Sequence, residues 1–482
     1  MANIYIWQDD PESGQRTLQI SAPDLNVAPL PTKITDPQPE AKLYDKGSDE
    51  FRYWVVAGSL SRAQQFWGPL LPAGITWHQG SALDVIRDRD VDLNAYYDRA
   101  SLSFFHEDVG GQTFFSCESP DVVCHEFGHG VLDAIRPELF DAASIESSAF
   151  HESFADMSAI LTAIQLNEVR NEVMQETGNR PERNSRLSRL AEQLGRAIRQ
   201  VSPGSAETDC LRNAANSFFY QEPDTLPSMA PASMLSSEPH SLSRVFTGAF
   251  FEALAGMSRT LSDPPTEAAL KSASVEMAKL LLGAVKIAPV VPEYFSQVAA
   301  GLIEADSNGG GKYATVLKSA FVRHGILSPS TATSMVSLQA ATSVSGATPA
   351  MRMATGGTAP TSGQLPLQAI TAAQYGLDGP LFVHAPSQPR RLAAHAASFT
   401  SAVVMPQSSE MAARSFVEHL MRLGRVDYGA HGDPNLHILH PHRHKTHFLE
   451  RVGNGYVLSR KVFYCGLSGD YPCGTGDRRL MP

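Results

Sequence analysis

The chain has 482 residues, of which 43% are hydrophobic and 18% charged, with a net charge of −11. That is enough apolar material to bury cores in about three domains of ordinary size, and it excludes a globally disordered chain. The basic residues are scattered, which argues against a nucleic-acid protein resting on a broad Lys/Arg surface.

The N-terminus, Met1 to Trp7, has no basic leader, and its apolar run stops at Gln8-Asp9-Asp10. It therefore does not read as a secretory signal. No stretch approaches the roughly 18 apolar residues of a membrane helix. Leu280 to Val285, between Lys279 and Lys286, reads as one face of a soluble helix. Five cysteines (Cys117, Cys124, Cys210, Cys465, Cys473) are an odd number at scattered spacing. They read as free thiols in a reducing compartment; Cys465 and Cys473 would pair only in an exported protein. The expected location is cytoplasmic, with export by another route left open, and no membrane or nucleic-acid partner is expected.

Residues 1–50 read as an N-terminal extension of short strands and loops. From Glu50 to Trp67 the apolar residues follow a helical period. Leu93 to Phe105 is strand material around Asn94-Ala95-Tyr96. Residues 119–165 form two helices. Ser119-Pro120-Asp121 starts the first with a hydroxyl cap, a proline and an acid, and Arg136-Pro137 ends it. The second runs from about Ser148 to Leu166. Residues 167–200 read as an exposed helical excursion, and helices follow near 240–256, 265–285, 291–305 and 312–324. Residues 328–366 are a Ser/Thr/Ala/Gly-rich linker. Residues 367–482 form a C-terminal appendage of unknown role, with a hairpin from His447 to Tyr464 turning at Gly453-Asn454-Gly455. In that appendage His431, His437, His440, His442, His444 and His447 crowd together. A strand would set 440, 442 and 444 on one face for a second metal, but Pro441 favours a polar loop. Gly309-Gly310-Gly311-Lys312 lacks the flanking residues of a phosphate loop.

The chemistry is concentrated in Cys124-His125-Glu126-Phe127-Gly128-His129. With 16 histidines in the chain, a chance His-Glu-x-x-His has a probability of about 3%. On a helix, His125 and His129 project from one face and can fill two tetrahedral positions of Zn²⁺. Glu126 can reach a metal-activated water without being a ligand, as a general base must. Cys124 points about 100° away and reads as a packed thiol. Downstream, Glu152 on the second helix can be the third ligand. Asp156, one turn later, can accept the other ring N–H of a ligating histidine. Phe150, Phe154, Met157 and Ile160 make that helix a buried one, and buried acids need a partner. His151 beside Glu152 faces elsewhere and reads as a supporting residue.

These motifs resemble the thermolysin-like zinc metallopeptidases, within the wider group that uses a glutamate as third zinc ligand. Asp121 to His129 looks like that family's active-site helix, and Glu152 to Asp156 is similar to its Glu-x-x-x-Asp motif. Asn94-Ala95-Tyr96-Tyr97 looks like the edge strand that binds substrate backbone. Tyr294-Phe295-Ser296 through Ala320-Phe321 and Gly325 resembles its closing helices. The resemblance spans residues 50–327. It implies an α+β, two-lobed catalytic domain over 51–327: a mixed N-terminal lobe with a β-sheet, a mainly helical C-terminal lobe, and the active-site helix between. It also implies that His240, in Glu238-Pro239-His240, stabilises an oxyanion with Glu238 orienting it, and that Asn94 and Ala95 bind a peptide or protein substrate. Asp121 matches a calcium-ligand position, but only Glu168 stands near as a partner acid, short of a full Ca²⁺ set.

The chain also departs from that pattern. The interval from His129 to Glu152 is longer and holds no Tyr, Phe140 being its only aromatic between Gly130 and Ala149. Where the family's carbonyl-clamping Arg is expected stands Leu226-Pro227-Ser228-Met229, leaving Arg244 as a substitute. The expected function is zinc-dependent peptide-bond hydrolysis by an endopeptidase. Its rivals are a zinc-bearing, weakly active or inactive scaffold, and an aminopeptidase-like member, for which no amine-gripping motif is found.

Overall fold

Ser48 Oγ accepts a hydrogen bond from Phe51 N at 3.1 Å, and Asp49 and Glu50 occupy the first turn behind it. Together they start helix α1 (Asp49–Trp67) in the computed structural model, which describes residues 2–329, 331–332, 364–386, 408–431 and 444–466. The linker expected over 328–366, His437, His440, His442 and Cys473 lie wholly or mostly outside the described residues. Helix α1 is buried nearly all round, with Phe51, Trp54, Val55, Leu60 and Trp67 inside. Strands β1 (Asn3–Trp7) and β2 (Thr17–Ser21) form an antiparallel pair, and β1 packs on α1.

The main sheet draws on β3 (Thr32–Ile34), β4 (Leu83–Ile86), β5 (Ala95–Tyr97) and β6 (Ser101–Phe104). Strands β3, β4 and β6 run parallel, and β5 pairs antiparallel with β6. A hairpin of β7 (His106–Val109) and β8 (Gln112–Phe115) leads into α2 (Pro120–Ile135), which starts at the Ser119 cap and stops before Pro137, as expected. A short α3 (Glu138–Asp141) follows, then α4 (Ile145–Ala163), capped by Ser144.

Helices α2 and α4 cross at close range because Gly128 has no side chain. A Cβ there would lie 2.6 Å from Ser158 Cβ and 3.0 Å from Ala155 Cα. The Ser158 hydroxyl is used twice at this crossing, donating to Cys124 O at 2.9 Å and accepting from Trp67 Nε1 at 3.0 Å. Cys124 is a packed thiol, 3.7 Å from Ser59 O.

The segment expected to be an exposed excursion is instead half buried. Helices α5 (Asn167–Thr177) and α6 (Glu192–Val201) flank it, and β9 (Arg189–Leu190) pairs antiparallel with β10 (Arg212–Asn213). Val169, Val173, Leu187, Leu190, Leu194 and Ile198 are all in the core. Its apolar residues at helical spacing are covered because the segment folds back on the body, with α5 against a later helix and α6 against β7 and β8. Four more helices follow, α7 (Pro239–Leu261), α8 (Glu267–Ile287), α9 (Tyr294–Asn308) and α10 (Ala314–Arg323). α7 packs on α4, and α5 on α8. No helix among the described residues is long and apolar enough to cross a membrane.

The C-terminal residues form a second five-stranded sheet around α11 (Ser409–Arg422). Its strands are β11 (Leu367–Ile370), β12 (Leu381–His384), β13 (Val426–Asp427), β14 (His447–Val452) and β15 (Gly455–Arg460). The β14–β15 hairpin turns at Gly453-Asn454, with Gly453 at φ +61°. The hairpin stops at Arg460, not at Tyr464 as expected. Phe463–Tyr464 (β16) leaves this sheet and pairs antiparallel with β5 at the edge of the main one.

Candidate metal centre

Helix α2 brings His125, Glu126 and His129 to its buried face, where none is more than 5% exposed. Helix α4 supplies Glu152 across the Gly128 crossing. His125 Nε2 lies 3.5 Å, and His129 Nε2 3.7 Å, from Glu152 Oε2. The three donors expected to share one ion therefore converge. A fourth donor, not foreseen as one, is present. Cys465 Sγ stands 3.2 Å from each histidine Nε2 and 3.8 Å from Glu152 Oε2. All four donor atoms lie within 4.8 Å of one another. A tetrahedral ion with bonds of about 2.1 Å to N and O and 2.3 Å to S has edges of about 3.4–3.6 Å. The donor set is thus of a size to hold a metal ion.

The surroundings hold these donors in place. His125 Nδ1 is 2.9 Å from Asp156 Oδ1, so the acid one turn beyond Glu152 fixes that ring. Asp156 is in turn gripped by Arg212, through Nε at 3.1 Å and Nη2 at 2.8 Å. His129 Nδ1 lies 2.8 Å from His151 Nδ1, and the His151 ring stacks on Phe463 at 4.2 Å. His151 is therefore in contact with a donor ring instead of facing elsewhere.

Glu238 caps α7. Its Oε2 accepts from Ser241 N at 3.0 Å, while Oε1 meets His240 Nδ1 at 2.6 Å. Proline at the first helical position fixes the geometry. The opposite nitrogen, His240 Nε2, points at the cluster, 3.4 Å from Glu152 Oε2, without a hydrogen bond. Both carboxylate oxygens of Glu126 are buried without a hydrogen bond of good geometry, the Cys465 thiol being the donor that stands near them. An unsatisfied buried carboxylate beside four convergent donors calls for a ligand.

Burial pushes the Glu126 carboxyl up to about 7, against the lowering influence of His125. His125 would be depressed by burial, but its hydrogen bonds to Asp156 and Glu152 raise it to about 9. Burial and the His125 charge hold His129 well below its ordinary value. Asp156 is kept below the carboxylate range: burial opposes this, and Arg212 and His125 overcome it. His240 is raised by Glu152 and Glu238 against burial, and Glu238 is lowered to about 2 by His240, also against burial. Burial, then the charges of Glu126 and Glu152, push the Cys465 thiol well up. These are properties of the metal-free cluster; a divalent cation would become its largest local charge and favour thiolate and neutral imidazole.

Asn94 and Ala95, expected to hold substrate backbone, lie at the start of β5 and are engaged by the chain itself. Cys465 N donates to Ala95 O at 2.9 Å, and Gly466 N to Asn94 Oδ1 at 2.8 Å. A cavity of about 430 Å³ opens alongside, lined by Arg212, Glu238, His240, Ser241, Arg244 and Gly466 among others. Arg244, the expected substitute for a carbonyl clamp, is occupied elsewhere: it bonds Met234 O, Glu207 and Ser241 and lies over Phe218. Arg212, unremarked in the sequence, is the arginine bonded into the donor cluster.

The remaining metal expectations find no support in the described residues. Asp121 is buried near Asp9, Asp10 and Glu192 and accepts from Ala191 N at 3.2 Å; Glu168 is exposed. No metal-holding group among the described residues includes either acid. His444 pairs with Asp92 at 3.0 Å and His447 is packed by Phe416, with no metal group between them.

No protein-family model matches the chain, and no curated protein sequence does. Among solved structures, one similar chain is the precursor of protealysin, a metalloproteinase from Serratia proteamaculans. The identity is 14%, with 68% of this chain and 88% of that chain covered, at a TM-score of 0.38. So loose an overlap settles neither family nor activity, and the residues of the site bear the functional question.

Proposed function

We propose that the chain is a zinc-dependent peptide-bond hydrolase of the thermolysin-like kind, with a catalytic unit over residues 51–327. The observation that carries this reading is the convergence of His125, His129 and Glu152 on one point, with the buried carboxylate of Glu126 beside it. Zinc held there by those three residues would supply a water of near-neutral pKa and a Lewis acid for the scissile carbonyl.

This chain's residues then have distinct tasks. Glu126 takes the proton of the attacking water and returns it to the leaving amine. His240, oriented by Glu238 on Nδ1, donates from Nε2 to the carbonyl oxygen as it gains charge. Asp156 fixes the His125 ring, and Arg212 fixes Asp156. The edge of β5 at Asn94 and Ala95 takes the substrate backbone as an added strand.

One observation favours a second reading, a zinc-bearing protein without turnover. With Cys465 at the fourth corner the donor set is closed, as in structural zinc sites, whereas catalytic sites keep that position open. The test is made in a Cys465→Ala background, loaded with zinc and assayed on a quenched-peptide library. Chelator-sensitive internal cleavage that falls by at least about 100-fold on adding Glu126→Gln, with zinc still bound, supports hydrolysis. Stoichiometric zinc with no cleavage of any peptide selects the second reading.

A further inference from the structure

The last described residues do two things at once. Phe463 and Tyr464 pair antiparallel with Tyr97 and Tyr96, and Cys465 N continues the ladder to Ala95 O. This is the strand edge on which a peptide would lie. Without β16, β5 would be the sheet's outer strand. Immediately after that pairing, Cys465 Sγ reaches the histidine nitrogens at 3.2 Å. The backbone covers the substrate edge while the side chain fills the fourth corner.

The segment is built into place. Phe463 stacks against both His129 and His151, at 5.1 Å and 4.2 Å. Arg460, just before it, bonds Phe140 O at 2.7 Å and Ser148 Oγ at 2.6 Å. Gly466 lies so close to the residues that lead into β5 that a Cβ would meet Leu93 O and sit 2.5 Å from Asn94 Cα. Only glycine lets the chain leave Cys465 along this path.

We infer that Cys465 is the fourth ligand of the metal and that residues 463–466 are an internal peptide mimic holding the enzyme latent. The inference rests on the peptidase reading above. A thiolate bound to the ion takes the place that water needs, and the paired strand takes the place that substrate needs. Opening requires that the thiolate–metal bond break and that the strand leave β5. The two events are coupled because one residue makes both contacts. Whatever lifts the C-terminal segment, whether a partner that binds it or a protease that cuts it, opens both positions.

The test uses full-length protein loaded with cobalt(II) for spectroscopy and zinc for turnover. Wild type should show a thiolate-to-cobalt charge-transfer band in the near ultraviolet, and Cys465→Ala should lack it. Gly466→Val keeps the thiol but cannot fit beside Asn94, so it should also lose most of the band. Both zinc-loaded variants should cleave a quenched peptide at least 10-fold faster than wild type. Absence of the band in wild type overturns the ligation. Equal cleavage by wild type and both variants overturns the latency and leaves the peptidase reading standing. Variants that lose the band yet cleave nothing overturn the latency together with the proposed function.

Discussion

Replacing Asp156 by Asn probes how far the donor cluster depends on one buried charge. Asp156 receives two hydrogen bonds from Arg212, at 2.8 and 3.1 Å, and faces His125 Nδ1 at 2.9 Å. All three side chains are almost fully buried. Asn preserves the shape but removes the charge, leaving the Arg212 guanidinium buried without its hydrogen-bonded carboxylate. Breaking a buried pair from one side costs about 3–5 kcal/mol. The ring of His125 also loses its anionic acceptor, which lowers zinc affinity by about 10- to 100-fold, or about 1.4–2.8 kcal/mol. Denaturant melts of metal-free protein measure the first effect, and competition with a chromophoric chelator measures the second. The double variant Asp156→Asn with Arg212→Met separates them. Stability should recover, since no charge is left stranded, while zinc affinity stays low. Unchanged stability and zinc affinity in Asp156→Asn would refute the linkage of Arg212, Asp156 and His125.

Gly128→Ala should push α2 away from α4, because the new Cβ would lie 2.6 Å from Ser158 Cβ. The expected cost is about 1–3 kcal/mol of stability, with weaker zinc binding as His125 and His129 part from Glu152; tight zinc binding in this variant would contradict the close crossing as the source of the geometry. A second buried acidic region adds its own pH dependence. Burial, then the charge of Glu192, raise Asp9 to about 6 despite Arg62 and Arg186, and burial raises Asp10 to about 7 despite its Ser119 hydrogen bond. The folded state then binds protons that the unfolded chain releases near pH 4, so the contribution of Asp9 and Asp10 to stability falls as pH rises from about 4 to about 7. Urea midpoints of Asp9→Asn should decline less than wild type across that window; parallel profiles would show that Asp9 is not strained.

Much of the site was legible because its information is local. His125, Glu126 and His129 follow from one helical period behind a Ser119-Pro120-Asp121 start, and Glu152 and Asp156 from the same period on a buried helix. His240 entered only through the family resemblance; what the structure adds is that the Glu238-Pro239 helix start orients its ring. Arg212 escaped notice because it sits in a two-residue strand with no pattern of its own. Cys465 could not be linked to the histidines at all. It lies 340 residues from His125, and its approach depends on β16 abandoning its own hairpin for a distant sheet. The apolar residues of 167–200 showed a helix but not its cover, which tertiary packing decides.

The most direct measurement is zinc stoichiometry and X-ray absorption on purified, zinc-loaded wild-type protein. One zinc per chain is expected, with three nitrogen or oxygen neighbours at about 2.0–2.1 Å and one sulfur at about 2.3 Å. Loss of stoichiometric zinc should follow when His125, His129 or Glu152 is replaced by Ala. Protein that binds no zinc, or binds it equally well without those three side chains, contradicts the shared-ion arrangement.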